Sequence, residues 1–339
     1  MTLRVCFFSN TALEQLRKEQ YSINDINILK ELGFEVIISN SIKSIPLSCD
    51  LYFSWWASGS IYPLIVALLC NKPIIVVAGG NEAIPYRDSK TNDPHGYLAN
   101  GWLKQAITRF TLRYCTAVIA VSNFMIEGLR SLGCNQPIVI HNCVNTDLFS
   151  SNTYTKREYI VTSFRLDELP TLIKRGENFI RAASIVIKSF PNSKFMIVGH
   201  KGNSFQRLNK LVDELGISNS ITFSGSIENS DVVRVLQKAI CFVQPSDTET
   251  FGVAVAEAMS VECPVVISSR GALLELAGDN AVYVDQNSVE SIASGIIKII
   301  SMDDKERKIL GIKSRLHIEG NFSYNKRKGL IYNLISNIV

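Results

Sequence analysis

Two glutamates and a glycine between residues 245 and 265 form the pattern in this chain that is best suited to chemistry. Glu249 and Glu257 lie eight positions apart, so a helix that begins near Phe251 would place both carboxylates on one side. Gly252 stands where such a helix would begin, and without a side chain it leaves the first-turn amides open to an anion. Amides that hold a diphosphate, beside acids that accept hydrogen bonds from hydroxyls, would suit a nucleotide sugar.

The surroundings of the glutamates favour a binding site over the alternative, an amphipathic helix whose glutamates only face solvent. Apolar strands are predicted at 240–243, before the glutamates, and at 264–267, after the helix. This is the strand, loop, helix, strand order of a parallel sheet, in which ligands bind at the carboxyl ends of the strands. The glutamates fall at that end.

These residues resemble the Glu-x7-Glu signature of the retaining glycosyltransferases of glycosyltransferase family 4. The matching segments are Pro245-Ser246, Glu249-Thr250-Phe251-Gly252, Glu257-Ala258-Met259 and Pro264-Val265-Val266. Two further segments are similar to the family: residues 139–145 with Phe149 to its hinge, and Gly225-Ser226-Ile227 to the loop that lies against the nucleotide base. The resemblance covers most of the second half of the chain and the end of the first, and it is poor before about residue 70.

Short apolar runs alternate with helical patterns along the whole chain, which predicts an α/β protein with doubly wound parallel sheets. The predicted strands are 3–9, 35–39, 51–55, 73–78, 117–121 and 138–141, and then 159–163, 194–198, 220–223, 240–243, 264–267 and 281–284. The resemblance implies the GT-B architecture, two Rossmann-like domains facing a cleft. We expect an acceptor-binding domain at 1–150, a nucleotide-sugar-binding domain at 151–322, and a C-terminal helix at 323–339 that crosses back to the first domain.

A diphosphate needs cations as well as amides, and the family supplies an Arg after the first strand of the second domain and a Lys before a Gly. Arg165 matches the first of these positions. Arg175 occupies the second, with Lys174 beside it, and either side chain could reach a phosphate. The sequence leaves the choice between them open.

The resemblance implies transfer of a sugar, with retention, from a nucleotide-diphosphate donor to an acceptor hydroxyl, in cell-surface polysaccharide or glycolipid synthesis. Glu249, Arg165, Lys174 and Arg175 are the expected catalytic residues, and Glu257, Thr250, Phe251, Gly252, Val253, Ser226 and Ile227 the expected donor-binding residues. Glu249 would bind sugar hydroxyls and Glu257 the ribose. No cofactor and no metal are expected, because cations can replace the metal and the sequence contains no D-x-D motif.

The first half departs from the family at two places. No glycine follows the first strand, and Gly79-Gly80-Asn81-Glu82 stands where the family often has a His. His95 is the nearest substitute, either as a catalytic group or simply as a loop residue. Gly79, Gly80 and His95 are therefore the candidates for the acceptor side.

Composition and charge are those of an ordinary enzyme of a reducing compartment. The net charge of +4 is too small and dispersed for a nucleic-acid partner, and the eight cysteines form no C-x-x-C pair. The chain opens directly into a strand, and its longest apolar run, 64–70, is too short to span a bilayer. We therefore expect a cytoplasmic protein that binds a nucleotide sugar and a glycan or lipid-linked acceptor.

A stripe of apolar and basic residues at 102–113 has helical spacing and leaves two interpretations open. It contains Trp102, Leu103, Ile107 and Phe110 with Lys104, Arg109 and Arg113. It could rest on the inner face of an anionic membrane, or it could be core with a solvated basic edge. For the whole protein, two alternatives to a transferase remain: a non-catalytic, transferase-like subunit that binds a partner, and another GT-B enzyme such as a nucleotide-sugar epimerase.

Overall fold

The computed structural model describes residues 2–16, 19–80, 83–152 and 157–339. The chain divides into two compact units. The first comprises Met1–Cys143 and Tyr324–Val339, and the second comprises Val144–Ser323. Within the described residues, no helix combines the length and the apolar character needed to cross a membrane.

The first unit is built on a six-stranded parallel sheet with the order β2-β1-β3-β4-β7-β8. The strands of this unit are β1 (Arg4–Phe8), β2 (Glu35–Ser39), β3 (Leu51–Trp55), β4 (Ile74–Ala78), β5 (Pro85–Arg87), β6 (Pro94–Gly96), β7 (Ala117–Ala120) and β8 (Pro137–Val139). Every residue of β3, β4 and β7 is buried, as expected for central strands covered on both faces. Strands β5 and β6 form a separate antiparallel hairpin that the sequence analysis did not predict.

Helices cover both faces of this sheet. They are α1 (Leu13–Leu16), α2 (Gln20–Glu31), α3 (Ile61–Leu69), α4 (Trp102–Tyr114) and α5 (Met125–Ser131). Helices α3, α4 and α5 each connect a strand to its next neighbour in the same direction across the sheet. Because parallel crossovers are right-handed, these three helices lie side by side on one face. Helix α2 makes the opposite step, from β1 to β2, and so covers the other face.

The second unit repeats this architecture, with the sheet order β11-β10-β9-β12-β13-β14. Its strands are β9 (Tyr159–Ser163), β10 (Phe195–Val198), β11 (Ile221–Gly225), β12 (Ala239–Gln244), β13 (Val265–Ser268) and β14 (Val282–Val284). Its helices are α6 (Glu168–Ile173), α7 (Gly176–Ser189), α8 (Phe205–Glu214), α9 (Asn229–Gln237), α10 (Val253–Ser260), α11 (Leu273–Ala277), α12 (Val289–Ser301) and α13 (Asp304–Asn321). The strand order reverses direction between β9 and β12, and in such sheets the ligand crevice opens at that switch point.

The last helix, α14 (Tyr324–Ser336), belongs to the first unit. Its Arg327 forms a buried ion pair with Asp25 of α2, with 2.6 Å between Nε and Oδ1, and also donates to the carbonyl oxygens of Ile140 and His141. In the second unit, the amide of Val144 donates to the carbonyl oxygen of Phe322. Residues 144–150 group with the second unit, whereas the predicted first domain extended to residue 150.

The predicted secondary structure is confirmed for the sheets. Each predicted strand is present, and its bounds differ from the prediction by at most two residues. This agreement follows from the burial of both sheet faces, which requires an uninterrupted apolar run for each central strand.

Candidate active site

Glu249 lies in the loop after β12, at the switch point of the second sheet. Helix α10 begins at Val253, two residues after the predicted start near Phe251, so Glu249 precedes the helix that carries Glu257. The Oε1 atom of Glu249 accepts hydrogen bonds from Gln244 Nε2 at 2.6 Å, from Ser246 Oγ at 2.8 Å and from the ammonium group of Lys174. Three donors therefore converge on one carboxylate oxygen.

The neighbouring loop after β13 holds the backbone of the loop that carries Glu249. Ser268 Oγ donates to the carbonyl oxygen of Ser246 at 2.5 Å, and the amide of Ala272 donates to that of Glu249 at 2.8 Å. A Cβ atom on Gly271 would lie 2.3 Å from the Glu249 carbonyl oxygen, and the φ of Gly271 is +60°. Glycine is therefore required at this position for the two loops to approach so closely.

The adjacent cations Lys174 and Arg175 have different environments. Arg175 adopts a left-handed backbone conformation, with φ of 52°, and its guanidinium lies 3.1 Å from Asp247, with both side chains buried at 4% and 1% exposure. Lys174 is 23% exposed and reaches Glu249. Of the two adjacent cations between which the sequence left the choice open, Lys174 is the more accessible, whereas Arg175 is buried against Asp247. The geometry therefore favours Lys174 as the phosphate ligand.

The Arg175–Asp247 pair fixes the connection between α6 and α7 against the loop after β12. The amide of Asp247 donates to the carbonyl oxygen of Ile173 at 2.8 Å, and Gln286 Nε2 lies 3.4 Å from Asp247 Oδ1. Since Lys174 is part of that connection, the buried pair determines where its ammonium group lies.

Arg165 follows β9, the strand that pairs with β12 in the sheet. Its side chain is exposed and binds Asp167 through two hydrogen bonds, of 2.6 Å from Nη2 and 3.0 Å from Nε. The Arg165 guanidinium holds the pKa of Asp167 below its usual range. Arg165 and Glu249 thus follow the carboxyl ends of adjacent strands, but Arg165 pairs with Asp167 and not with Glu249.

The residues around the start of α10 have two kinds of environment. Gly252 precedes the helix with φ of 97°, and a Cβ atom there would lie 2.7 Å from Leu273 Cδ2, so the position favours glycine. Phe251 is buried, and its ring packs edge-on against Phe322 with 5.5 Å between centroids. Thr250 and Val253 are half-buried. Phe251 therefore supports the core with its ring.

Glu257 and Ile227 line one small cavity of about 20 Å³. The remaining lining is mostly apolar: Val161, Val198, Val232, Val235, Leu236, Phe242 and Ala254, with Ser163. Burial in this setting raises the pKa of Glu257 to about 8, so its carboxyl group is mostly protonated at neutral pH. Ser226, next to Ile227, is exposed. The two predicted donor-binding segments are thus adjacent in the fold.

The three candidates for the acceptor side have different environments in the first unit. A Cβ atom on Gly79 would lie 2.3 Å from the ring of Trp55, so Gly79 allows the buried indole to pack. Gly80 is half-buried, and Asn81 and Glu82, which follow it, lie outside the described residues. His95 is not a loop residue: it lies in strand β6, is buried, and packs against Tyr86 at 5.6 Å between ring centroids.

Sequence reasoning missed several polar residues that build the site. Gln244 and Asp247 position Glu249 and Arg175, and Gln286 contacts Asp247. The sequence marks these three residues only by their position at the ends of strands, because each is the last residue of an apolar strand or follows one closely. A search for polar residues at strand ends would have found them.

Comparison with known proteins matches the sequence of the second unit to a family. The profile of "Glycosyl transferases group 1" matches residues 145–317, just over half of the chain. An uncharacterised glycosyltransferase of Methanocaldococcus jannaschii is 32% identical over 133 residues, which cover 39% of this chain and 34% of that protein, so the chain spans about a third of that relative's length. The O-antigen chain mannosyltransferase RfbU of Salmonella typhimurium is 22% identical over 294 residues, 81% of this chain and 79% of RfbU.

A solved structure shows the same fold over the full chain. HepE of Anabaena, in complex with UDP and glucose, aligns with a TM-score of 0.80 over 99% of this chain and 100% of its own, at 14% identity. The predicted fold class, α/β with two Rossmann-like parallel-sheet domains of GT-B type, is confirmed.

Proposed function

The chain belongs to the group 1 glycosyltransferases, and on that basis we propose that it is a retaining hexosyltransferase of the glycosyltransferase family 4 type. It transfers a sugar from a nucleotide-diphosphate donor to an acceptor hydroxyl. The observation that carries the proposal is the contact between Lys174 and Glu249 at the switch point of the second sheet. A cation and an acid held together at the ligand-binding edge suit a substrate that carries both phosphates and hydroxyls.

The charges that develop in the transition state indicate what the cations of the site do. As the bond to the leaving group breaks, positive charge develops on the sugar ring and negative charge on the β-phosphate, so fixed donors near that phosphate lower the barrier. Lys174 and Arg165 supply the positive charge, and the amides of Gly252 and Val253 supply hydrogen-bond donors at a helix start. Arg175 acts as a positioning residue, because its buried pair with Asp247 determines the place of Lys174.

The two acids have different parts in this proposal. Glu249 binds the sugar hydroxyls, and Gln244 and Ser246 keep its carboxylate oriented. Glu257 binds the ribose, with Ser226 and Ile227 near the base, and its apolar cavity keeps it largely protonated until a polar ligand arrives. The first unit binds the acceptor. With two cations on the diphosphate, the reaction needs no metal ion and no other cofactor.

The names of two related proteins support a role in the synthesis of cell-surface polysaccharides or glycolipids. RfbU is an O-antigen chain mannosyltransferase, and HepE was solved with UDP and glucose. By analogy, this protein acts in cell-surface polysaccharide or glycolipid synthesis, on a glycan or lipid-linked acceptor, at the cytoplasmic side of the membrane.

A thermal-shift screen followed by product analysis tests the proposal. UDP-, GDP- and ADP-sugars are added to the purified protein, and the matching donor should raise Tm in proportion to its affinity. The screen is repeated with EDTA, which should change neither the shift nor the turnover. Proton NMR of the glycoside product should show that the transferred sugar keeps the donor's anomeric configuration. An inverted product would refute the retaining mechanism, and the absence of a shift with every donor would refute nucleotide-sugar binding.

A further inference from the structure

Helix α4 presents several of its large apolar side chains to solvent. The residues of α4 that are buried are Thr108, Thr111 and Leu112. Trp102, by contrast, is 80% exposed, and Leu103 and Phe110 are also exposed. The interpretation of the 102–113 stripe as core was therefore wrong, because the helix packs through its threonines and Leu112.

The exposed apolar surface continues onto α3, which packs against α4 on the same face of the sheet. On α3 the exposed residues are Tyr62, Ile65, Leu68 and Leu69, the last of them 79% exposed. Single exposed apolar residues are ordinary, but a contiguous group on two adjacent helices marks an interaction surface.

Three arginines border this surface in a groove between α4 and α5. Arg109, Arg113 and Arg130 line the groove, whose volume is about 460 Å³, together with Phe110 and Tyr114. Within the described part of the chain, none of the three guanidinium groups forms an ion pair with a carboxylate. Arg109 donates to the hydroxyl of Tyr97 at 2.8 Å, and Arg113 lies over the ring of Tyr114.

The balance of charge on these helices is strongly positive. Helix α4 carries Lys104, Arg109 and Arg113 and no acidic residue, and α3 carries no charged residue. Helix α5 adds Arg130 and one exposed acid, Glu127. Three arginines that converge without a counterion repel one another, and a bound anion removes that repulsion.

We propose that the α3–α4 surface, with this arginine groove, binds the headgroups of an anionic phospholipid bilayer. The arginines receive lipid phosphates through bidentate hydrogen bonds, while Trp102 and Leu103 enter the interfacial layer where aromatic and apolar groups are favoured. Charge complementarity favours an anionic membrane over a protein partner, because the exposed apolar side chains of α3 and α4 lie beside the cationic groove between α4 and α5. This surface is independent of the Glu249 site, and the inference does not rest on the proposed transfer reaction.

Co-sedimentation of the full-length protein with vesicles tests this surface. We expect binding to phosphatidylcholine vesicles with about a third phosphatidylglycerol, weak binding to pure phosphatidylcholine, and weakening with added salt. The variant Arg109→Gln/Arg113→Gln/Arg130→Gln should lower the partition coefficient roughly a hundredfold, at about fivefold per arginine. Arg113→Gln/Arg130→Gln leaves the Tyr97 hydrogen bond intact and should lower it at least tenfold even if the triple variant folds poorly.

A matched control removes the same charge elsewhere. Lys305, Lys308 and Lys313 are exposed on α13 in the second unit, so Lys305→Gln/Lys308→Gln/Lys313→Gln should bind vesicles like the wild type. An equal loss in this control would mean that net charge alone drives binding, and it would overturn the proposal.

Trp102 supplies a direct readout of insertion. On addition of anionic vesicles its fluorescence should shift to shorter wavelength and be quenched by brominated lipid, and Trp102→Phe should lose most of this signal. Inorganic phosphate at millimolar concentration should not reproduce the shift. The proposal fails if wild-type protein stays in the supernatant with anionic vesicles, or if the arginine groove responds to free phosphate alone.

Discussion

Lys174 donates a hydrogen bond to the carboxylate of Glu249, although the two residues are 75 positions apart in the chain. Gln244 and Ser246 donate to the same oxygen, so the Lys174 ammonium is not the carboxylate's sole partner. In the proposed reaction, the diphosphate of the donor would compete with Glu249 for Lys174. The first two predictions below follow from this competition.

Replacement of Lys174 should impair catalysis far more than folding. In Lys174→Met, Glu249 keeps its two neutral donors, but the leaving phosphate loses a cation, and we expect kcat to fall about 10²–10³-fold. Steady-state kinetics with the identified donor measure this loss. Lys210→Met removes an exposed Lys from the same unit and should have normal kinetics. A Lys174→Met enzyme with near-normal kcat would contradict the proposed role.

Replacement of Glu249 should separate binding from turnover. Glu249→Gln removes the negative charge that competes for Lys174, so the Kd for the nucleoside diphosphate should decrease severalfold. The sugar loses a charged hydrogen-bond acceptor, so kcat should fall by about 10²-fold. Calorimetric titration and initial rates measure the two effects. Weaker binding of the nucleoside diphosphate by Glu249→Gln would show that Lys174 and the phosphate do not compete with this acid.

Arg165 should contribute to turnover although it is exposed and paired with Asp167. Arg165→Ala should cut turnover about a hundredfold or more, with Tm nearly unchanged because surface ion pairs contribute little to stability. Arg207→Ala is the matched control, since Arg207 is an exposed Arg of the same unit that pairs with Glu177. If the two variants have equal activity, Arg165 does not contact the donor.

Replacement of Arg175 should lower the free energy of unfolding. Arg175→Met leaves the carboxylate of Asp247 buried without its cation, which costs about 3–5 kcal/mol of unfolding free energy. Urea denaturation measures the loss. Arg175→Met/Asp247→Leu removes both charges and should recover a large part of it. A single variant as stable as the wild type would show that the pair is not buried in solution.

Glu257 should make stability depend on pH. Its folded-state pKa of about 8 lies above the ordinary value of 4.5, so between these values the native state binds more protons than the unfolded state. Stability is therefore greatest, with respect to this group, below about pH 4.5, and it falls as pH rises towards about 8. Glu257→Gln has no charge to bury.

A comparison of the wild type with Glu257→Gln tests this dependence of stability on pH. Calorimetry between pH 5 and pH 8.5 should show a Tm difference, variant minus wild type, that grows with pH to several degrees. Because the carboxyl is replaced by its neutral isostere, the difference at pH 5 should be small. A difference independent of pH would place the pKa of Glu257 near its ordinary value.

Local patterns in the sequence predicted most of the fold. Central strands such as β4 must be apolar on both faces, and this leaves a signal that needs no tertiary information. The hairpin of β5 and β6 left no such signal, since each strand is only three residues long, begins with a proline and is partly exposed. Its pairing depends on contacts between segments, which a single-strand pattern cannot show.

The amino-acid sequence by itself determined the two alternating α/β halves, the acids at 249 and 257, and the cluster of cations at 165, 174 and 175. Only the tertiary structure decided which of two adjacent cations is accessible. The left-handed backbone at Arg175 sends its side chain inward to Asp247 and leaves Lys174 facing Glu249. The tertiary structure also decided that Trp102 faces solvent, because sequence periodicity defines a stripe on a helix but not which side of the helix packs against the sheet.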